Sequence, residues 1–257
     1  MFARETNNFS EESLIDSVFV SKLKTKLVSE FKANCRNGIY ALMQKRMAYN
    51  SNHLEGSTLT SEQTALLFDT GTVISTADFV FRAKDIEEAQ GHFKMFNQML
   101  KGIDEPITAE FMKSLHYQLK SGVFEDYANG YPVGEFKKYA NIVGDIITSN
   151  PADVLDHITD LLTWYTSAER TLSSLAEFHA RFEKIHPFQD GNGRTGRMLL
   201  LKQCFDFGIM PIIIYDTDKI KYKAALNSAQ KTGNIESLVS IFIDSQKHLY
   251  EEVHSFV

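Results

Sequence analysis

Between Leu172 and Phe207 the chain reads apolar helix, then twelve polar residues, then apolar helix. Leu175, Phe178, Phe182 and Ile185 recur at helical spacing before the break, and a second apolar run, from Arg194 to Phe207, follows it. The break itself is HPFQDGNGRTGR, His186 to Arg197, with three glycines, two arginines, a histidine, an aspartate and an asparagine. Two helices that must be buried are joined by the most polar, most flexible segment of the chain. A fold that accepts this order holds the polar segment rigidly at the shared end of two core helices.

The same helical spacing predicts helices over most of the 257 residues. They run from about Glu11 to Ala33 (Leu14, Val18, Leu23, Leu27, Phe31) and from Gly38 to Leu54. A short one opens at the Thr60–Gln63 capping box and ends near Phe68. Others span 82–100, 109–119, 153–166, 172–185, 194–207, 219–231 and 235–253. From Phe124 to Pro151 glycine, proline and asparagine punctuate β-prone pieces. That stretch predicts a loop and one small hairpin with its turn at Gly144-Asp145. The fold class is all-α: a helical bundle with a small β-hairpin flap. The expected organisation is an N-terminal helical extension, 1–81, on a core, 82–257.

Bulk numbers exclude several classes. A net charge of −6 gives no basic surface for a phosphate backbone, so no nucleic-acid partner is expected. Cys35 and Cys204 are isolated and form neither a disulfide framework nor a metal spacing. The N-terminal MFARETNNFSEES lacks an apolar leader, and the most apolar window, 198–215, is broken by Lys202, Gln203 and Asp206. The expectation is a cytoplasmic protein that does not enter a membrane.

The chemistry of the polar segment follows from helix physics. A helix N-terminus leaves amides unsatisfied and carries partial positive charge; Gly191, Asn192 and Gly193 there supply an anion-binding nest. Arg194 and Arg197 add two cations on one helix face, suited to more than one phosphate. Asp190 beside an anion site makes sense with Mg²⁺ between them, and His186 is placed to act as a general base. The combination predicts a di- or triphosphate with Mg²⁺ and transfer onto a hydroxyl.

The segment resembles, without a gap, the signature of Fic-domain proteins, His-Pro-Phe-x-Asp/Glu-Gly-Asn-Gly-Arg-x-x-Arg. The likeness extends over roughly 82–242. Leu115–Leu119 resembles the helix before the family's hairpin. Gly134-Glu135-Phe136-Lys137 resembles its Gly-x-aromatic-Arg with lysine last, and Tyr222–Leu226 its later Tyr-rich helix. The resemblance implies AMP transfer from ATP to a Ser, Thr or Tyr hydroxyl of a target protein. It implies His186 as base, Asp190 as Mg²⁺ ligand, and Gly191, Asn192, Gly193, Arg194 and Arg197 on the phosphates. Tyr222 and Gln230 fall at adenine, and Phe188 anchors the loop in the core. The flap residues Ile142, Val143, Ile146 and Ile147 align the target by strand addition. Gly193 and Arg197 differ from members that phosphorylate, and Gly191 from those that transfer phosphocholine. Family members often dimerise, which leaves a homodimer open.

Upstream, SNHLEGS places Ser51 and Glu55 four apart on one helix face before Gly56. It resembles the family's inhibitory Ser/Thr-x-x-x-Glu-Gly/Asn, whose glutamate pairs with the second signature arginine, here Arg197. The reading is a restrained adenylyltransferase. Its alternatives are a hydrolase that uses Glu55 to remove AMP from a modified protein, and a nucleotide-binding module with little turnover.

Overall fold

The computed structural model describes residues 17–74 and 81–257. Its helices follow the predicted periodicity closely: α1 (Ser17–Lys32), α2 (Ile39–Leu54), α3 (Ser61–Thr70), α4 (Ala83–Lys101) and α5 (Ala109–Lys120). After the hairpin come α7 (Val154–Ser167), α8 (Leu172–Ile185), α9 (Asn192–Phe207), α10 (Lys219–Thr232) and α11 (Glu236–Val253). A further helix, α6 (Phe124–Ala128), stands where the sequence predicts only loop; five residues are too few to show a period. The predicted first turns from Glu11, with Leu14, lie outside the described residues.

Start signals act as capping chemistry requires. Thr60 accepts from the Gln63 amide at 3.2 Å while Gln63 Oε1 accepts from the Thr60 amide at 2.9 Å, so two orphan donors are satisfied at the head of α3. Thr108 and Thr171 cap α5 and α8 in the simpler way. The hairpin pairs β1 (Ile142–Val143) with β2 (Ile146–Ile147), antiparallel, with Ile142 opposite Ile147. These are the only strands among the described residues.

The helix that follows the polar segment, α9, is the axis of the molecule. Every side chain from Met198 to Phe205 is buried, so both neighbours of the segment had to read as apolar. Lys202 survives there because its ammonium reaches Asp206 at 2.9 Å and the Ile103 carbonyl at 3.3 Å. One core cluster joins Leu23 and Leu27 of α1, Met43 and Met47 of α2, Phe96 of α4, Leu115 of α5, Phe182 of α8 and Met198 of α9. The first two helices thus share their core with the rest. A second cluster, around Leu200, Cys204, Tyr222, Leu238 and Phe242, fills the space under α10 and α11. No helix among the described residues is long and apolar enough to cross a membrane.

Candidate active site

The polar segment closes α8 and opens α9. His186 caps α8 in the left-handed conformation, φ 52°, and its amide donates to the Phe182 carbonyl at 2.9 Å. That turn is strained for a non-glycine residue. It is held because Phe188, two residues on, is fully buried and stacks on His116 at 4.0 Å with rings 5° apart. His186 Nδ1 lies 3.2 Å from the Glu183 carbonyl, so Nδ1 carries the proton and Nε2 keeps a lone pair. Burial lowers the imidazole to about 4, which leaves it neutral and able to accept a proton at pH 7.

Gly191 is the N-cap of α9 at φ 81°, a conformation that costs a glycine nothing. The first helical bond runs from the Thr195 amide to the Gly191 carbonyl at 3.0 Å, and the amides of Asn192, Gly193 and Arg194 therefore face the helix end. The Asn192 side chain does a different job. Its Oδ1 accepts from the Phe188 amide and its Nδ2 donates to the Phe188 carbonyl, both at 2.8 Å. It staples the loop, and only its backbone is offered to an anion.

Asp190 is held from three sides. Its carbonyl accepts from His116 Nε2 at 3.0 Å, and His116 Nδ1 in turn accepts from the Gly134 amide at 2.9 Å, which fixes the tautomer. Its carboxylate meets Lys120 at 2.7 Å and Arg194 at 3.5 Å. Burial works against its ionisation, but Arg194 and Lys120 outweigh that and hold it well below the carboxylate range. Lys120, itself fully buried, also pairs with Glu88 at 2.9 Å and Asp126 at 2.8 Å. Asp126 absorbs the crowding: burial raises its carboxyl, and Asp190 and Glu88 add to the rise. The Asp190 side chain remains 38 % exposed. That suits an ion such as Mg²⁺, which is typically held by one or two carboxylates, the nucleotide's own phosphates and water. No cluster of three or more potential metal ligands exists among the described residues.

Arg194, which the resemblance puts on the phosphates, is paired within the protein. Its guanidinium is buried against Glu88 at 2.6 Å, with Asp190 on its other side, and acts as a strut under the nest. Arg197 is the second surprise in degree. Its Nε donates to Ser51 Oγ at 2.9 Å, and its Nη2 donates to the Ser51 carbonyl at 2.9 Å and to Glu55 Oε1 at 2.7 Å. All three acceptors come from the end of α2. The Glu55 carboxylate lies directly over Gly193, where a Cβ would collide with it. It thus lies beside the first turn of α9. Burial opposes its charge, yet Arg197 and Arg194 keep it ionised, below its ordinary value. The end of α2 is docked by His53 Nδ1 and the Tyr49 hydroxyl on Asp216 Oδ2, at 2.8 and 3.0 Å, and by Lys219 on the His53 carbonyl at 2.8 Å.

Tyr222, which the resemblance puts at adenine, lies inside the second core cluster. The ring is 2 % exposed within the second core cluster, and its hydroxyl lies 2.7 Å from His179 Nε2. Its neighbour Lys223 is exposed. Gln230 is also buried, and its carbonyl accepts from Lys184 at 2.9 Å. The hairpin stands beside the His186 loop. Ile142 and Ile147 are 70 % and 82 % exposed while Ile146 is buried. Its base is pinned by Lys137, whose ammonium donates to Asn141 Oδ1 at 2.7 Å and Thr148 Oγ1 at 2.8 Å; burial lowers that ammonium to about 8. Its tip is pinned to α10 by Asp145, which accepts from Asn227 at 2.9 Å and pairs with Lys231.

His92, His116 and His179 are all buried and, through burial first, lowered to about 3. The unfolded chain binds protons on these rings near pH 6.5. The folded chain refuses them, so their stabilisation is present above that pH and lost as pH falls below it. Glu183, raised to about 8, runs the other way. With His186, lowered to about 4, four groups stand against one, and Tm is expected to fall by about 10–20 °C between pH 7 and pH 5. Calorimetric scans across that interval check this; an unchanged Tm would contradict the buried neutral rings.

With the geometry in hand, the comparisons are specific. Residues 106–204 match the model of the Fic/DOC family. A protein adenylyltransferase Fic from Nematostella vectensis is 26 % identical over 195 residues, 74 % of this chain and 44 % of that protein. One from Drosophila melanogaster is 28 % identical over 201 residues, 76 % of this chain and 39 % of that one. The chain thus spans about two fifths of the length of these relatives. A Fic-domain-containing signaling protein from Bacteroides thetaiotaomicron superposes with a TM-score of 0.66 at 25 % identity, covering 89 % of this chain and 91 % of its own. C. elegans Fic-1 shares the fold with a TM-score of 0.68 at 20 % identity, covering 95 % of this chain and 73 % of that one. Residues 106–204 thus carry a domain of the Fic/DOC type, set in a chain whose helical fold is shared with Fic-domain structures.

Proposed function

We propose that the protein transfers AMP from ATP to a hydroxyl of a target protein, with Glu55 restraining the reaction. The observation that carries the reading is the convergence at one helix end of the His186 imidazole, the partly exposed Asp190 carboxylate, the first-turn amides of α9 and Arg197. Mg²⁺, if held by Asp190, would neutralise phosphate charge. The protein's own groups do the rest. The α9 amides and Arg197 bind and orient the phosphates. The exposed edge of the hairpin at Ile142, Val143 and Ile147 aligns a target strand. His186 Nε2 takes the proton as the hydroxyl oxygen bonds to the α-phosphorus and pyrophosphate leaves with the electrons of the broken P–O bond. Glu55 occupies Arg197 and lies over Gly193, so a nucleotide enters with its terminal phosphate displaced and out of line for attack.

The test is the product. The Glu55→Gly protein, incubated with ATP and Mg²⁺, is expected to gain the mass of AMP on itself or on an added target. A gain equal to phosphate would overturn the reaction assignment. Nucleotide binding by calorimetry with no mass gain on any protein would favour a binding module.

A further inference from the structure

One buried acid is used by nothing described so far. Glu183 sits on α8, one turn before His186, with its carboxyl pressed against Gly196 of α9, where a Cβ would strike Glu183 Oε1. Glu183 Oε1 is buried and has no hydrogen-bond partner among the described residues. The next residue along α9 is Arg197. An orphaned carboxyl oxygen in the interior is costly, and a glycine that exists to admit it makes accident a poor explanation.

The groups that face Glu183 define its options. Arg197 from α9 attracts it, Glu55 from α2 repels it, and Tyr222 from α10 also interacts with it. With Glu55 on Arg197, one cation already has its anion, and Glu183 stays protonated: burial raises it to about 8. Removing Glu55 withdraws the repulsion and leaves Arg197 without its partner. Both changes favour the ionised form of Glu183.

We propose that Glu183 is the reserve partner of Arg197, a positioning carboxylate that takes up the guanidinium when Glu55 leaves and holds it until a phosphate arrives. The inference rests on the restrained-transferase reading only for what the phosphate belongs to. Glu183 gives up its proton on release of Glu55 and regains it when a phosphate supplies the negative charge in place of Glu55.

Infrared difference spectroscopy on the full chain reads this directly, through the C=O stretch of a protonated carboxyl. At pH 7 the wild type is expected to show a buried protonated-carboxyl band that Glu183→Gln removes. The Glu55→Gly protein is expected to lack that band without nucleotide and to recover it with Mg²⁺ and ATP. Calorimetry in two buffers of different ionisation enthalpy adds a second readout: proton uptake on ATP binding to Glu55→Gly, lost in Glu55→Gly/Glu183→Gln. Persistence of the band in nucleotide-free Glu55→Gly would overturn the proposal. If Glu183→Gln fails to fold, the wild-type minus Glu55→Gly spectrum still decides. Absence of AMP transfer alongside the band change would sink the functional reading and leave this one standing; transfer with an unchanged band would do the reverse.

Discussion

Glu55→Gly is expected to raise AMP transfer about a hundredfold, the scale of rate lost when reacting groups are misplaced by about 1 Å. The substitution removes a carboxylate that ties Arg197 at 2.7 Å and lies over Gly193. It leaves the base, the nest and Asp190 untouched. It also removes the present anion of a buried guanidinium, a loss that Glu183 offsets only in part. Breaking a buried pair from one side typically costs about 3–5 kcal/mol, which a bound phosphate can return. The variant is therefore expected to melt below the wild type without nucleotide and to gain more than the wild type from added ATP. Glu55→Gln separates charge from volume: it keeps the bulk over Gly193 and weakens the fork on Arg197, and its rate is expected to fall between the two. Equal rates for wild type and Glu55→Gly in a transfer assay would remove Glu55 from any regulatory role.

The second large effect concerns His186. In the Glu55→Gly background, His186→Ala is expected to cut transfer by roughly 10²–10⁴-fold, the usual contribution of a positioned base. Nucleotide affinity should change little, because the α9 amides and Arg197 do not depend on the ring. The pH profile sharpens the test. Burial lowers His186 to about 4, so its base form is complete at pH 7 and is lost as pH falls through about 4. The rate of Glu55→Gly is expected to be flat from neutrality down to about pH 5, with an acid limb below. A limb near the ordinary histidine value, or His186→Ala with full activity, would take the base role away from this residue.

The comparison of chain and structure divides along sequence distance. The polar segment was readable because its chemistry is contiguous: nest, carboxylate, arginines and base fall within twelve residues. The hairpin was readable because glycine and asparagine interrupt an otherwise helical text, and its turn stands at Gly144-Asp145 as expected. Glu88, Lys120 and Asp126 were not readable. Glu88 of α4 meets Arg194, Lys120 of α5 meets Asp190, and Asp126 of α6 meets Lys120, and in one dimension each is an ordinary helix-surface charge. Burial turns them into a support for the site, and burial is a property of the fold. Tyr222 shows the same limit from the other side. A tyrosine on an amphipathic helix reads alike whether it faces a ligand or the core, and here Leu238 and Phe242 of the same apolar cluster claim it. Start positions failed for a local reason: Gly191-Asn192-Gly193 reads as loop, yet Gly191 in the left-handed region lets α9 begin at Asn192.

The central claim is that a competent AMP transferase is held off by the Glu55–Arg197 contact. Its most direct measurement is the initial rate of transfer from α-labelled ATP, with Mg²⁺, by wild type, Glu55→Gly and Glu55→Gly/His186→Ala at equal concentration. The account predicts a low rate, a rate about a hundredfold higher, and a return to background, in that order. Equal label incorporation by all three proteins would contradict it.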